Sequence, residues 1–195
     1  MEVQPINFTY NTRAMSEEAF NQHMILYNGY VTKINAVTAA LKTFPPGGQD
    51  AAAAEAGYRG LKSVESYSIN GAILHEEYFR NMTNEKKSPG GRTLRLFTNT
   101  FGGLDVFLNK MTECALAARG WCLFAYEQRT NDARLVMLDA HDIGVIVTCY
   151  PLITLDMYEH AYYLDYMTDK KRYVQDFIGS IDWDVVEKRI LNVGL

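Results

Sequence analysis

Pro45-Pro46-Gly47-Gly48 closes a stretch that otherwise carries the pattern of one long helix, and it forces the chain to turn back on itself. Upstream, Ser16 followed by Glu17 and Glu18 marks a helix start. Phe20, Met24, Tyr27, Val31, Ile34 and Leu41 then recur at three, four or seven residues. Proline lacks an amide hydrogen and clashes with the preceding turn, so this helix must stop, and the glycines permit a sharp reversal. The return arm starts near Asp50-Ala51-Ala52-Ala53-Ala54 and breaks at Ser68-Ile69-Asn70-Gly71. It resumes with Leu74, Tyr78, Phe79 and Met82 on one side. The spacing predicts a helical hairpin over 16–83.

Residues 83–92, with Lys86-Lys87 and Ser88-Pro89-Gly90-Gly91, read as a linker and divide a hairpin domain, 1–88, from a second domain, 89–195. The second half changes character. A helix is expected around 104–118. Gly120-Trp121-Cys122-Leu123-Phe124-Ala125-Tyr126 then reads as a strand, paired with a run over 134–138 across the turn 128–132. A third apolar run covers 145–155, and helical spacing returns over 181–191. The order helices, strands, helices predicts an α+β fold with a small antiparallel sheet.

A chain of 195 residues with 48% hydrophobic and 22% charged residues is long enough to bury about 70% of its unfolded surface without a disulfide or metal. Its net charge of −4 offers no electrostatic footprint for nucleic acid. The longest apolar stretch, 143–154, is too short to span a bilayer and contains Pro151, and the first residues show no signal pattern. A soluble, cytoplasmic protein without membrane partners is expected. Cys114, Cys122 and Cys149 are odd in number and lack C-x-x-C spacing, so they read as buried apolar thiols rather than a disulfide framework or zinc site.

Phosphate-binding glycine loops, nucleophile elbows and the H-E-x-x-H pair are all absent. The scarce histidines, His23, His75, His141 and His160, lie in different segments, with Asp156 four residues before His160. Three imidazoles and a carboxylate suit iron, manganese or zinc, because nitrogen and hard oxygen donors match such ions. Spacing alone leaves a shared site open beside scattered surface or core histidines.

Asp156-Met157-Tyr158-Glu159-His160-Ala161-Tyr162-Tyr163 resembles the D-x-W-E-H-A-Y-Y signature of the iron/manganese superoxide dismutases. The segments Tyr30-Val31-Thr32-Lys33-Ile34-Asn35, 70–79 around His75, Phe101-Gly102-Gly103-Leu104-Asp105-Val106-Phe107 and Gly120-Trp121 are similar to further family segments, so the likeness extends over most of the chain. The resemblance implies an N-terminal helical hairpin followed by an α/β domain with a three-stranded antiparallel sheet. It also implies one iron or manganese ion per subunit held by His75, Asp156, His160 and a fourth ligand from the first helix. By the same resemblance His141 takes the place of a glutamine, or sometimes a histidine, that bonds solvent at the metal, Tyr30 is the active-site tyrosine, and Trp121 forms an aromatic wall. Glu159 and Tyr163 match residues that bridge to a second subunit, implying a homodimer or homotetramer. The substrate implied is superoxide, disproportionated to dioxygen and hydrogen peroxide. A metal-binding or partner-binding protein on the same fold, and a zinc hydrolase, are the competing readings.

The chain also departs from the pattern. Leu26 or Tyr27 stands where the family has a histidine four residues after its first ligand, Tyr158 replaces the signature tryptophan, and Leu123 replaces a strand tryptophan. Counting back eight from Tyr30, as in the family, lands on Gln22, whereas His23 is seven away. On a regular helix seven positions return to within about 20° and eight overshoot to about 80°. The longer spacing would need a local bulge. His23 is also the better donor, so it is expected to be the fourth ligand.

Overall fold

The computed structural model describes residues 2–45 and 54–194. The expected reversal at 46–48 and the start of the return arm at 50–53 lie outside the described residues. Helix α1 spans Glu17–Thr43, and Ser16 caps it by accepting a hydrogen bond from the Ala19 amide at 3.1 Å. Its buried stripe is Phe20, His23, Tyr27, Val31, Ile34 and Val37, and Phe44 leaves the helix in the extended conformation that a following proline favours. After a π-helical turn at Ala54–Arg59, helix α2 spans Gly60–Arg80 and packs along α1.

Helix α2 runs unbroken through 68–71, where the sequence pattern predicts an interruption. Ser68, Gly71 and Ala72 are buried there. Close packing outweighs the penalty of about 1 kcal/mol that an interior glycine carries.

Helices α3, Gly91–Phe101, and α4, Leu104–Ala117, are joined by Gly102 and Gly103, both at positive φ. The sequence pattern anticipates α4 but not α3, whose start resembles a linker. The first turn of α3 is secured from a distance: the Glu187 carboxylate accepts from the Arg92 and Thr93 amides and from the Thr93 hydroxyl. Phe97 of α3 stacks on Phe107 of α4 at 3.9 Å, and both meet Phe124.

Strand β1, Trp121–Glu127, is buried throughout and lies between β2, Asp132–Leu138, and β3, Cys149–Asp156, all antiparallel. The family-implied three-stranded sheet is therefore present. The third apolar run becomes strand only from Cys149, because residues 139–148 form a loop. Gly144 turns that loop at φ +96°, where an added Cβ would lie 2.7 Å from the Met137 carbonyl. Pro151 is tolerated because β3 is an edge strand and its register with β1 shifts beside it.

Helices α5, Glu159–Tyr166, α6, Lys170–Gly179, and α7, Trp183–Asn192, complete the chain. Asp182 caps α7, which begins at Trp183 within the expected helical run 181–191, whereas α6 has no counterpart in the sequence reading. Between α2 and α3 the chain is pinned to residues 180–182. The Thr83 amide donates to Ser180 O at 2.8 Å, and the Asp182 amide donates to Asn81 O at 2.6 Å. The Asn81 side-chain oxygen accepts from the Thr154 amide at 2.9 Å and from Arg189 at 3.1 Å. Among the described residues no helix is long and apolar enough to cross a membrane.

Candidate metal centre

Four side chains from four elements meet beside the start of β1. His23 occupies the buried stripe of α1, one turn after Phe20, and His75 occupies the buried face of α2. Asp156 ends β3, and its place opposite Trp121 in the sheet register directs it inward. His160 sits in the first turn of α5. Their candidate donor atoms all lie within 4.8 Å of one another. Asp156 Oδ2 is 3.1 Å from His23 Nε2, 3.2 Å from His160 Nε2 and 3.7 Å from His75 Nε2.

The surroundings suit neutral imidazoles and an ionised carboxylate. Burial lowers the His23 pKa and, with the neighbouring His23 ring, brings that of His75 to about 3. Burial alone would raise the Asp156 carboxyl, but the imidazoles of His160 and His23 hold it far below the ordinary carboxylate range. For His160, attraction to Asp156 overrides burial and raises its pKa. His75 Nδ1–H donates to Gly71 O at 2.6 Å, leaving Nε2 as a lone-pair donor aimed into the cluster. That Nε2 is buried without a hydrogen-bond partner. An orphaned, oriented imidazole nitrogen beside an ionised carboxylate is what a borderline divalent or trivalent ion requires. His23, His75 and Asp156 are closed off from solvent, whereas the His160 side chain is 29% exposed.

Asp156 is positioned by its own neighbours. Oδ1 accepts from the Tyr158 amide at 2.9 Å. Its carbonyl accepts from the Tyr173 hydroxyl at 2.8 Å, which leaves the Tyr173 oxygen to accept from Tyr78 at 2.9 Å.

A second hydrogen-bonded chain borders the cluster. Trp121 Nε1–H donates to His141 Nδ1 at 2.9 Å, and His141 Nε2 lies 2.7 Å from the Tyr30 hydroxyl. Burial brings the His141 pKa down to about 4, so the ring is neutral near pH 7 with its proton on Nε2. The Tyr67 ring lies 4.5 Å from His141, and its hydroxyl interacts with those of Tyr30 and Tyr158. Burial and this contact raise the phenol pKa values of both Tyr30 and Tyr158 above 10.0. Tyr158, in place of the signature tryptophan, stacks on His160 at 5.3 Å.

His23, His75, Asp156 and His160 thus converge, with Tyr30, His141 and Trp121 adjoining them. Gln22 points to solvent, because α1 is regular where a bulge would be needed to turn it inward. Glu159 and Tyr163 face outward from this chain, Tyr163 at 49% exposure. Leu26 is exposed, whereas Tyr27 is buried and donates to Glu76. Tyr67 and Gly71 escaped the sequence reading. They precede His75 by eight and four, a helical stripe that a search upstream of the histidine would reveal.

Known proteins resemble the chain as a whole. Residues 89–189 match the family model described as iron/manganese superoxide dismutases, C-terminal domain. The superoxide dismutase (Fe) of Aquifex pyrophilus is 34% identical over 184 residues, covering 92% of this chain and 85% of that protein. The superoxide dismutase (Mn) 2 of Haloferax volcanii is 30% identical over 187 residues, covering 94% and 92%. The superoxide dismutase (Fe) of Pyrobaculum aerophilum is 29% identical over 194 residues, covering 95% and 90%. The chain belongs to the iron/manganese superoxide dismutase family. That family consists of metal-dependent oxidoreductases.

Proposed function

We propose that this protein is a superoxide dismutase that converts superoxide to dioxygen and hydrogen peroxide, with one iron or manganese ion held by His23, His75, Asp156 and His160. The observation that carries this reading is the convergence of three imidazoles on one ionised carboxylate, with His75 Nε2 buried and unpartnered. A bound ion of this kind would supply the one-electron steps, accepting an electron from one superoxide and passing one to the next. The protein's own groups manage protons. His141 Nε2–H and the Tyr30 hydroxyl form a hydrogen-bonded pair beside the cluster. The raised phenol pKa keeps Tyr30 protonated at neutral pH. The neighbouring Tyr67 helps to raise the phenol pKa values of both Tyr30 and Tyr158.

Tyr163 and Leu164 of α5 and Ile25 and Leu26 of the adjoining α1 are exposed apolar side chains, which self-association would cover. Three free thiols suit a reducing cytoplasm. The test is metal analysis of the purified protein beside superoxide consumption after reconstitution with iron and with manganese separately. Turnover with at least one metal supports the reading. A full complement of either metal without turnover would make the chain a metal-binding protein on a dismutase fold.

A further inference from the structure

Two of the three cysteines lie outside the chemistry described so far, on the far side of β1 from the metal centre. Side chains alternate along a strand, so Trp121 faces His75 while its neighbour Cys122 faces α4. Cys122 Sγ–H reaches the Met111 carbonyl at 3.7 Å and therefore lies over the helical turn 111–115. Cys114 belongs to that turn. It sits at the edge of the buried face formed by Phe107, Met111 and Ala115, and it is only partly covered. That placement puts the two thiols beside one turn of α4, and each perturbs the other: Cys122 lowers the Cys114 pKa, while Cys114 and burial raise that of Cys122.

We propose that Cys114 and Cys122 are a peroxide-oxidisable dithiol, with Cys114 as the attacking thiol and Cys122 as the resolving one. Three features assign these roles. Cys114 is reachable from solvent, Cys122 lies over the helical turn that carries Cys114, and Cys122 is itself protected from direct attack by burial. In the first step the Cys114 thiolate attacks one oxygen of hydrogen peroxide. The O–O bond breaks, hydroxide leaves, and Cys114 becomes a sulfenic acid. In the second step Cys122 sulfur attacks Cys114 sulfur, the S–O bond breaks, and the hydroxide released takes the Cys122 proton to leave as water. Overall, two thiols and one peroxide give one disulfide and two waters. The peroxide oxygens are reduced and both sulfurs are oxidised. Cys149 serves as an internal reference, because burial raises its pKa and no second thiol is shown to interact with it.

Hydrogen peroxide is supplied as the reagent, so the test does not depend on turnover of superoxide. The folded protein is treated with peroxide, remaining thiols are alkylated after denaturation, and the cysteine peptides are mapped by mass spectrometry. The expected result is paired loss of alkylation at Cys114 and Cys122, a peptide joined through them, and recovery of both thiols with dithiothreitol, while Cys149 stays alkylated. In Cys122→Ser, oxidation should stop at Cys114 as a sulfenic acid captured by dimedone. If that variant fails to fold, the mapping of the unaltered protein decides the matter alone. Oxidation of Cys149 ahead of the pair, sulfinic acid at Cys114 with Cys122 still free, or no loss of either thiol would each overturn the proposal.

Discussion

The indole nitrogen of Trp121 donates to Nδ1 of His141 over 2.9 Å, and this bond decides which nitrogen of His141 carries the proton. With Nδ1 occupied as an acceptor, the neutral ring must present Nε2–H to Tyr30, 2.7 Å away. Trp121→Phe removes the donor, costs about 1 kcal/mol of stability and frees the imidazole to change tautomer. Metal content should persist while turnover falls about 10- to 100-fold, the range typical of lost support around a metal site. His141→Ala should behave alike. Loss of metal in His141→Ala, measured by elemental analysis, would instead make His141 a ligand.

The choice between His23 and Gln22 is open to a paired measurement. His23→Ala should empty the site, as should His75→Ala, Asp156→Ala and His160→Ala, because each removes one of four donors from a cluster only 4.8 Å across. Gln22→Ala should retain full metal, since Gln22 is exposed. The reverse pattern in this pair would overturn the assignment of His23.

Gly71 is expected to be intolerant of even one methyl group. An added Cβ would lie 3.0 Å from the Tyr30 ring and 3.1 Å from that of His141, the two residues whose hydrogen bond borders the cluster. Gly71→Ala gains about 1 kcal/mol of helix propensity, which offsets part of the steric cost. A thermal midpoint within a few degrees of the parent, with turnover at least tenfold lower, is the expected outcome. Unchanged turnover would show that the two rings yield without consequence.

Acid stability should depend on Glu127. Its carboxylate accepts from the Thr130 and Thr148 hydroxyls and from the Arg129 and Thr130 amides, and these bonds lower its pKa from 4.5 to about 2. A carboxyl lowered in the folded state binds protons more readily when unfolded. Its contribution is therefore complete above pH 4.5 and is lost as the pH falls toward about 2. Glu127→Gln should flatten the stability profile within that window, as measured by urea midpoints at successive pH values. A parallel loss in parent and variant would exclude Glu127 as a source of the slope.

The dismutase-like octet ending at Tyr163 and the four scarce histidines made the centre legible, because a metal site demands particular residue types and tolerates few replacements. The helices were legible where local signals agreed, as with Ser16 before α1 and the apolar spacing over 181–191 for α7. They were not legible where a distant partner decides. Helix α3 begins at a glycine pair that resembles a linker, and its first amides are satisfied by Glu187 from the other end of the domain. Residues 68–71 look like a break but are straightened by close packing around Gly71. Tyr67 was invisible for a related reason: its hydroxyl matters only because Tyr30 and Tyr158, remote in sequence, are brought beside it.

Asn81 acts as a gauge block for a pocket it does not line. It caps the end of α2, six residues and about 9 Å of helix axis beyond His75, and its side chain is fastened to Thr154, two residues and about 7 Å of strand before Asp156. Helix and strand are both stiff over such lengths, so the gap between His75 and Asp156 is calibrated at Asn81. Two donors from opposite halves of the chain therefore stand at their working separation before any ion arrives. The entropy of bringing them together is lost during folding, and metal loading does not bear it.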